Sequence, residues 1–359
     1  MSEIPKFTFY DKDNELLIIA GMTIFIYDGQ KWGNIIINDV NLPDSDFSIL
    51  KKPSLSEIYQ NKKSELVKVL ILSGGYNSKS KSASNTIFLL NITKNEKNEK
   101  QCLLDFKYPD MKNRRFMHNS VNINNKYIII IGGKNENEYL SSCEYLNIGE
   151  SKWESFPNLL EPRSNFSICL MNNNEIYLYG GYEKNGKFSS NLLTKCEVNI
   201  DKISESKWSN INLNTNNINN LPLVCCTLYP NDDTIIICGG TNGENMLNGL
   251  FELDPSEKNI QDLGKINSFR SSFHCFMLDG DFYAVGGFVK DFKFNDDKTI
   301  IENYIEKFTF DLNNNIESSF IKVESNDIIQ PIIEHGGDVN EFKNNPGFPF
   351  NCSILTKKF

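Results

Sequence analysis

The chain holds four arginines against 33 lysines, and three of the four recur in register. Arg115, Arg163 and Arg270 stand 17, 17 and 16 residues before the first glycine of a Gly-Gly doublet, with Arg114 beside the first. A lysine-rich composition does not generate that spacing. A guanidinium is a planar fork that clamps a carboxylate through two hydrogen bonds, and aromatic rings near it supply area that loses water on contact. Catalytic chemistry has less to work with. His118 falls where Phe166 and Phe273 stand in related segments and reads as a packing residue, His274 should point to the opposite strand face from Phe273, and His335 lies in an irregular stretch. No Cys-x-x-Cys or His-x-x-x-His spacing occurs, and the adjacent Cys225-Cys226 pair is poorly placed for chelation. A Gly-rich phosphate loop and a Gly-x-Ser-x-Gly elbow are also missing from the sequence. The expectation is a protein with no metal, no cofactor and no enzymatic activity.

The elements that must hold these arginines are strands. An apolar run that stops on glycine appears six times: LLIIAG to Gly21, VLILSGG to Gly75, YIIIIGG to Gly133, IYLYGG to Gly181, TIIICGG to Gly240 and FYAVGG to Gly287. The closing glycines are 54, 58, 48, 59 and 47 residues apart, a loose period in the range of a four-stranded propeller blade. The third copy is the clearest. RRFMHNSVNI reads as an inner strand, Asn124-Asn125 as a tight turn, Tyr127 to Ile131 as a fully buried strand, CEYLNI as a third strand and WESF, opened by Trp153, as the outer one. Glycine closes the second strand because a Cβ there would meet a forbidden φ or the neighbouring blade. Four such strands bury their faces only by stacking on another copy, so no repeat should be stable alone.

Length and composition agree with a single repeat array filling the 359 residues. The net charge of −9, without a Lys/Arg block, argues against a nucleic-acid partner. The longest apolar stretch, Leu16 to Tyr27, is too short to span a bilayer, and the N-terminus lacks a signal-peptide pattern, so no membrane role is expected. Nine cysteines without regular spacing suit buried thiols in the cytoplasm or the nucleus.

An apolar strand ending in Gly-Gly, an aromatic in the following strand and a later tryptophan resemble the Kelch repeat, and the array over about residues 5–325 resembles a Kelch β-propeller. The resemblance implies an all-β fold of six blades with about four antiparallel strands each, in one domain spanning residues 1–359, with an irregular segment at 326–359. Ring closure has two candidates. Phe7 precedes Ala20 by 13 residues, as Phe273 precedes Gly286, so FTFY fits the inner strand of the first blade, while PFNCSIL (349–355) resembles the inner strands FHCFML and FSICLM. Gly336-Gly337 would permit a partial seventh blade.

The resemblance also implies that the arginine position faces one mouth of the central channel. The residues that directly follow the doublets, Tyr76, Lys134, Tyr182, Thr241 and Phe288, resemble the rest of that rim. Arg114, Arg115, Arg163 and Arg270 with Tyr76, Lys134, Tyr182 and Phe288 therefore form the expected binding set for a protein or peptide ligand, an acidic one by charge. The competing reading makes the arginines ties that hydrogen-bond carbonyls of the adjacent blade. Three functions stay open: a non-enzymatic scaffold or adaptor, a sugar-acting Kelch enzyme such as a mutarotase, and a substrate receptor of a ubiquitin ligase. The last would recruit its ligase through a loop such as Asn41 to Lys63 or Phe288 to Thr299.

Overall fold

A computed structural model describes residues 6–10, 16–20, 23–27, 32–38, 50–51, 54–62, 65–77, 80–94, 100–105, 108–215, 218–278, 281–285, 287–290, 305–310, 316–321 and 347–348. Strands dominate, and the helical content among these residues is two single 3-10 turns, Lys184–Gly186 and Ile203–Glu205. The third, fourth and fifth copies each form one antiparallel sheet whose strands pair in chain order. They are Asn119–Ile123, Tyr127–Ile131, Cys143–Asn147 and Lys152–Phe156; Ser167–Met171, Glu175–Tyr179, Leu193–Glu197 and Lys207–Ile211; and Thr227–Asn231, Thr234–Cys238, Gly249–Asp254 and Asn259–Lys265. The sixth copy repeats the arrangement with His274–Leu278, Asp281–Val285, Ile305–Phe310 and Ile316–Ile321. This is the blade architecture of a β-propeller.

The first two copies depart from the rest. Lys6–Tyr10, Leu16–Ala20, Thr23–Tyr27 and Trp32–Asn38 make one four-stranded unit; Ser54–Lys62, Glu65–Ser73, Ile87–Lys94 and Lys100–Asp105 make the next. They share one eight-stranded sheet because their outer strands pair in parallel, Cys102 with Ile37 and Leu103 with Asn38. Within the first unit Phe7 pairs with Ile19, which makes the N-terminal FTFY the first strand of that unit and the edge of the shared sheet farthest from Ser54–Lys62. PFNCSIL and Gly336-Gly337 lie outside the described residues, although the nearby Gly347–Phe348 pairs with Gly287–Lys290. The proposed recruitment loop from Asn41 to Lys63 is corrected: nine of its residues, Ser54–Lys62, are the inner strand of the second blade. The loop expected from Phe288 likewise begins as the strand Gly287–Lys290, paired with Phe269–Ser271; residues 291–300 lie outside the described residues.

The core lies between sheets. Tyr127–Ile131 is buried along its whole length, and its period-2 alternation sends Ile128 and Ile130 toward Val69, Ile71 and Leu89 of the second blade. Ile129 and Ile131 turn the other way, onto Ile176 and Leu178 of the fourth. The same division places Tyr177 and Tyr179 against Ile235 and Ile237, and Ile236 and Cys238 against Phe282 and Phe308. A strand with a blade on each side needs apolar residues at every position, which is why these runs carry no polar alternation.

Glycine doublets close the boundaries from the second blade to the sixth. Gly132 has φ +56 and a Cβ on it would stand 2.6 Å from the Arg163 carbonyl oxygen, while the next amide, Gly133, donates to that same oxygen at 2.8 Å. Gly75 to Arg115 (2.9 Å), Gly181 to Leu223 (2.8 Å) and Gly240 to Arg270 (2.7 Å) repeat the bond at the other boundaries. Both sequence-level reasons for glycine, the left-handed backbone and the close neighbour, thus hold at one position. The tryptophans add a second tie: Trp153 Nε1 donates to the Pro109 carbonyl and Trp208 Nε1 to that of Pro157, each reaching back toward the preceding blade.

Candidate functional site

In the antiparallel blades the loops joining second to third strands emerge at the same end as the connections from one blade to the next. The residues after the doublets and the arginine segments therefore share one face. There, Phe116, Lys134 and Tyr139 form a small bridged ladder, repeated by Ser164, Tyr182 and Phe188 and by Val224, Thr241 and Met246. Tyr76–Asn77 pairs with both Leu50–Lys51 and Ser82–Ala83 in the same manner.

Half-buried rings and a lysine run along this face. Tyr76 meets Phe116 at 5.1 Å between ring centroids, and the Lys134 ammonium stands 5.2 Å over Phe116 and 5.5 Å over Tyr139. Tyr182 stacks on Phe188 at 5.3 Å and 27°. The band continues into the fifth blade, because a Cβ on Gly243, which has φ +96, would collide with the Phe188 ring. Phe116, Tyr139 and Phe188 were not among the residues singled out from the sequence. The structure identifies them by pairing: each is the bridge partner of a residue directly after a doublet. Phe288 enters the pattern by backbone, paired with Ser271 and Gly347.

The arginines are placed differently from expectation. Arg114 is exposed, but Arg115, Arg163 and Arg270 are 0%, 3% and 0% exposed, so burial removes their guanidiniums from the accessible rim. RRFMHNSVNI is not one continuous strand either. Residues 115 and 116 are taken by bonds to Ser84, Gly75 and Lys134, and the inner strand begins at Asn119. Arg115 spans a blade boundary: its amide donates to the Ser84 carbonyl and its carbonyl accepts from Gly75, while its guanidinium donates to the carbonyls of Gly132 and Ser142 and to Glu144 at 2.8 Å. Glu144 also accepts from the amides of Lys112 and Asn113. Arg270 and Glu306 repeat the pair in the sixth blade at 3.7 Å, with Ser268 between them and the amides of Asn267 and Ser268 donating to the carboxylate.

His118 is 2% exposed, with Nε2 3.0 Å from Ser73 Oγ and no partner at Nδ1 among the described residues. Burial and the Arg115 charge hold it well below the ordinary imidazole range. It packs on Gly74 as Phe166 packs on Gly132 and Phe273 on Gly239, the position read from the sequence. Burial pushes Cys143 and Cys226 up to about 11 and 12, leaving them protonated thiols rather than nucleophiles. Among the described residues no group of His, Cys, Asp or Glu could hold a metal, and no helix is long and apolar enough to cross a membrane.

Stacked four-stranded blades, doublet glycines clasping the next blade and tryptophans reaching back to the previous one define a Kelch-type β-propeller. The chain belongs to the KLHDC2/KLHL20/DRC7 Kelch-repeats domain family, whose sequence model matches residues 64–287. It is also similar to the Kelch repeat and BTB domain-containing protein 2 of Ectromelia virus (strain Moscow), with 26% identity over 175 residues. That match covers 47% of this chain and 29% of the viral protein's length.

Proposed function

We propose that this propeller is a non-enzymatic binding module that holds a protein segment on the face carrying Tyr76, Phe116, Lys134, Tyr139, Tyr182 and Phe188. The observation behind the reading is the half-buried band of rings with Lys134 seated between two of them. Rings held in fixed orientations give contact area at small entropic cost, the character of interface hot spots. Lysine in that band, with Arg114 exposed beside Arg115, favours a segment carrying negative charge. Buried free thiols suit residence in the cytoplasm or the nucleus.

The test compares proteins captured from cell extract by the wild type with those captured by a Lys134→Glu/Tyr182→Ala variant of unchanged melting temperature. A partner retained by the wild type and reduced at least tenfold on the variant supports the reading. Equal recovery of every partner overturns it. A second reading, presentation of a bound partner to a ubiquitin ligase, draws on the viral relative whose name couples Kelch repeats to a BTB domain. Ubiquitylation of the captured partner that depends on this chain would favour it.

A further inference from the structure

The Arg–Glu pair is a two-part device, and the blades treat its parts unequally. Its acid stands on the third strand opposite the residue two before the doublet: Glu144 opposite Ile130, Glu306 opposite Ala284. In the fifth blade both parts are apolar together, with Leu223 at the arginine position and Phe251, opposite Ile237, at the acid position. The fourth blade breaks the rule. It keeps Arg163, but the acid position, opposite Leu178, is Thr194, whose hydroxyl donates to Asn210 Oδ1.

The backbone that cradles the acid is nevertheless kept. In the third and sixth blades two consecutive amides, three and two residues before the arginine, donate to the carboxylate: Lys112 and Asn113 to Glu144, Asn267 and Ser268 to Glu306. The segments carrying them are pinned at both ends by equivalent bonds, Met111 to Asn85 and Arg115 to Ser84, Ile266 to Asn248 and Arg270 to Leu247. Leu159 to Ser141 and Arg163 to Leu140 pin the fourth-blade segment in the same way, so the amides of Leu160 and Glu161 take the same place. Arg163 is 3% exposed, its Nη1 is buried without a hydrogen-bond partner among the described residues, and burial draws its pKa down. The charges that act on it are those of Glu183 and Glu161. Glu183 Oε1 is already engaged by the Ser189 hydroxyl and the Ser190 amide. Leu160 is 53% exposed, so the segment that carries the two amides lies at the surface.

We infer that the fourth blade carries a binding site for one carboxylate, made by the Arg163 guanidinium and the amides of Leu160 and Glu161, which takes from outside the blade the acid that the third and sixth blades supply from within. Two amides and a guanidinium reproduce the donor set that holds Glu144, and two equivalent amides hold Glu306 with Arg270 3.7 Å away and Ser268 between them; charge-assisted bonds of this kind are strong. The site is independent of the aromatic rim, since a rim that bound nothing would leave the response to carboxylate intact.

The test uses the full chain. Acetate should raise the wild-type melting temperature over chloride at equal ionic strength, by about 2 °C or more at saturation, and formate should shift the Arg163 guanidinium 15N resonances. Thr194→Glu should melt higher than wild type in chloride and lose the acetate response, because the blade then supplies its own acid. Arg163→Gln should lose the response without that gain. A blocked tripeptide with central glutamate, compared with its glutamine counterpart, separates the sources: a response to the glutamate peptide as well as to acetate assigns the site to an acidic side chain, and a response to acetate without the peptide assigns it to a free small carboxylate. The inference is overturned if acetate and formate act on the wild type no differently from chloride. It is equally overturned if a folded Thr194→Glu protein keeps the full acetate response.

Discussion

The amide of Gly133 donates to the carbonyl oxygen of Arg163 across the boundary between the third and fourth blades, at 2.8 Å. The arginine therefore serves the fold twice, by a backbone oxygen that the preceding blade grips and by a side chain that enters its own blade. Leu223 supplies the same carbonyl to Gly181, so the backbone role needs no arginine and only the side chain distinguishes the blades; the accessible rim is left to the residues after the doublets.

The doublet should tolerate no side chain. Gly181 has φ +103, and a Cβ would stand 2.8 Å from Phe166 Cβ and 2.9 Å from the Ser164 carbonyl oxygen. Gly181→Val is expected to destabilise the protein by roughly 2 to 4 kcal/mol, combining backbone strain with overpacking. Thr241→Val, one residue past the next doublet and half-exposed, is the control. Denaturant titrations of both proteins check this, and equal midpoints would refute the clasp.

The buried ion pair should matter far more than an exposed one. Arg115 and Glu144 are 0% and 1% exposed, and Glu144→Ala strands a guanidinium and two amides inside the protein, at a cost of about 3 to 5 kcal/mol. Lys152 and Glu154, 63% and 39% exposed, form the comparison pair, and Lys152→Ala should change stability by less than about 1 kcal/mol. Calorimetric melting of the two variants separates the cases.

His118 should make the protein sensitive to mild acid. Its folded pKa lies below the unfolded value, through burial first and the Arg115 charge second, so the unfolded chain binds a proton that the native protein refuses. The contribution is constant above the unfolded pKa of about 6.5, and stability falls as pH drops below it, by up to about 1.4 kcal/mol per pH unit until the folded pKa is reached. His118→Phe, which installs the residue found at this position in the fourth and sixth blades, should flatten the slope between pH 6.5 and 5. An unchanged slope in urea melts across that range would assign the acid sensitivity to other groups.

Local order is what the sequence determined by itself. Apolar runs, turn residues and doublets recur with a period, and each depends only on near neighbours: Asn124 and Asn125 take φ of 52 and 55, as a two-residue turn requires, and three strands of the third blade fall within a residue of their expected limits, while the inner one starts five residues later than expected, at Asn119. The inner strand Ser54–Lys62 escaped notice because its polar positions carry no apolar alternation, and its pairing with Glu65–Ser73 identifies it. Tertiary structure alone decided where long side chains point. A linear period places Arg115, Arg163 and Arg270 at one blade position, but whether a guanidinium reaches solvent or a carboxylate depends on a strand about thirty residues away, Glu144 in one blade and Thr194 in another. The union of the first two blades through Ile37 and Cys102 has the same origin, because which strand edges meet is set by the packing of whole sheets.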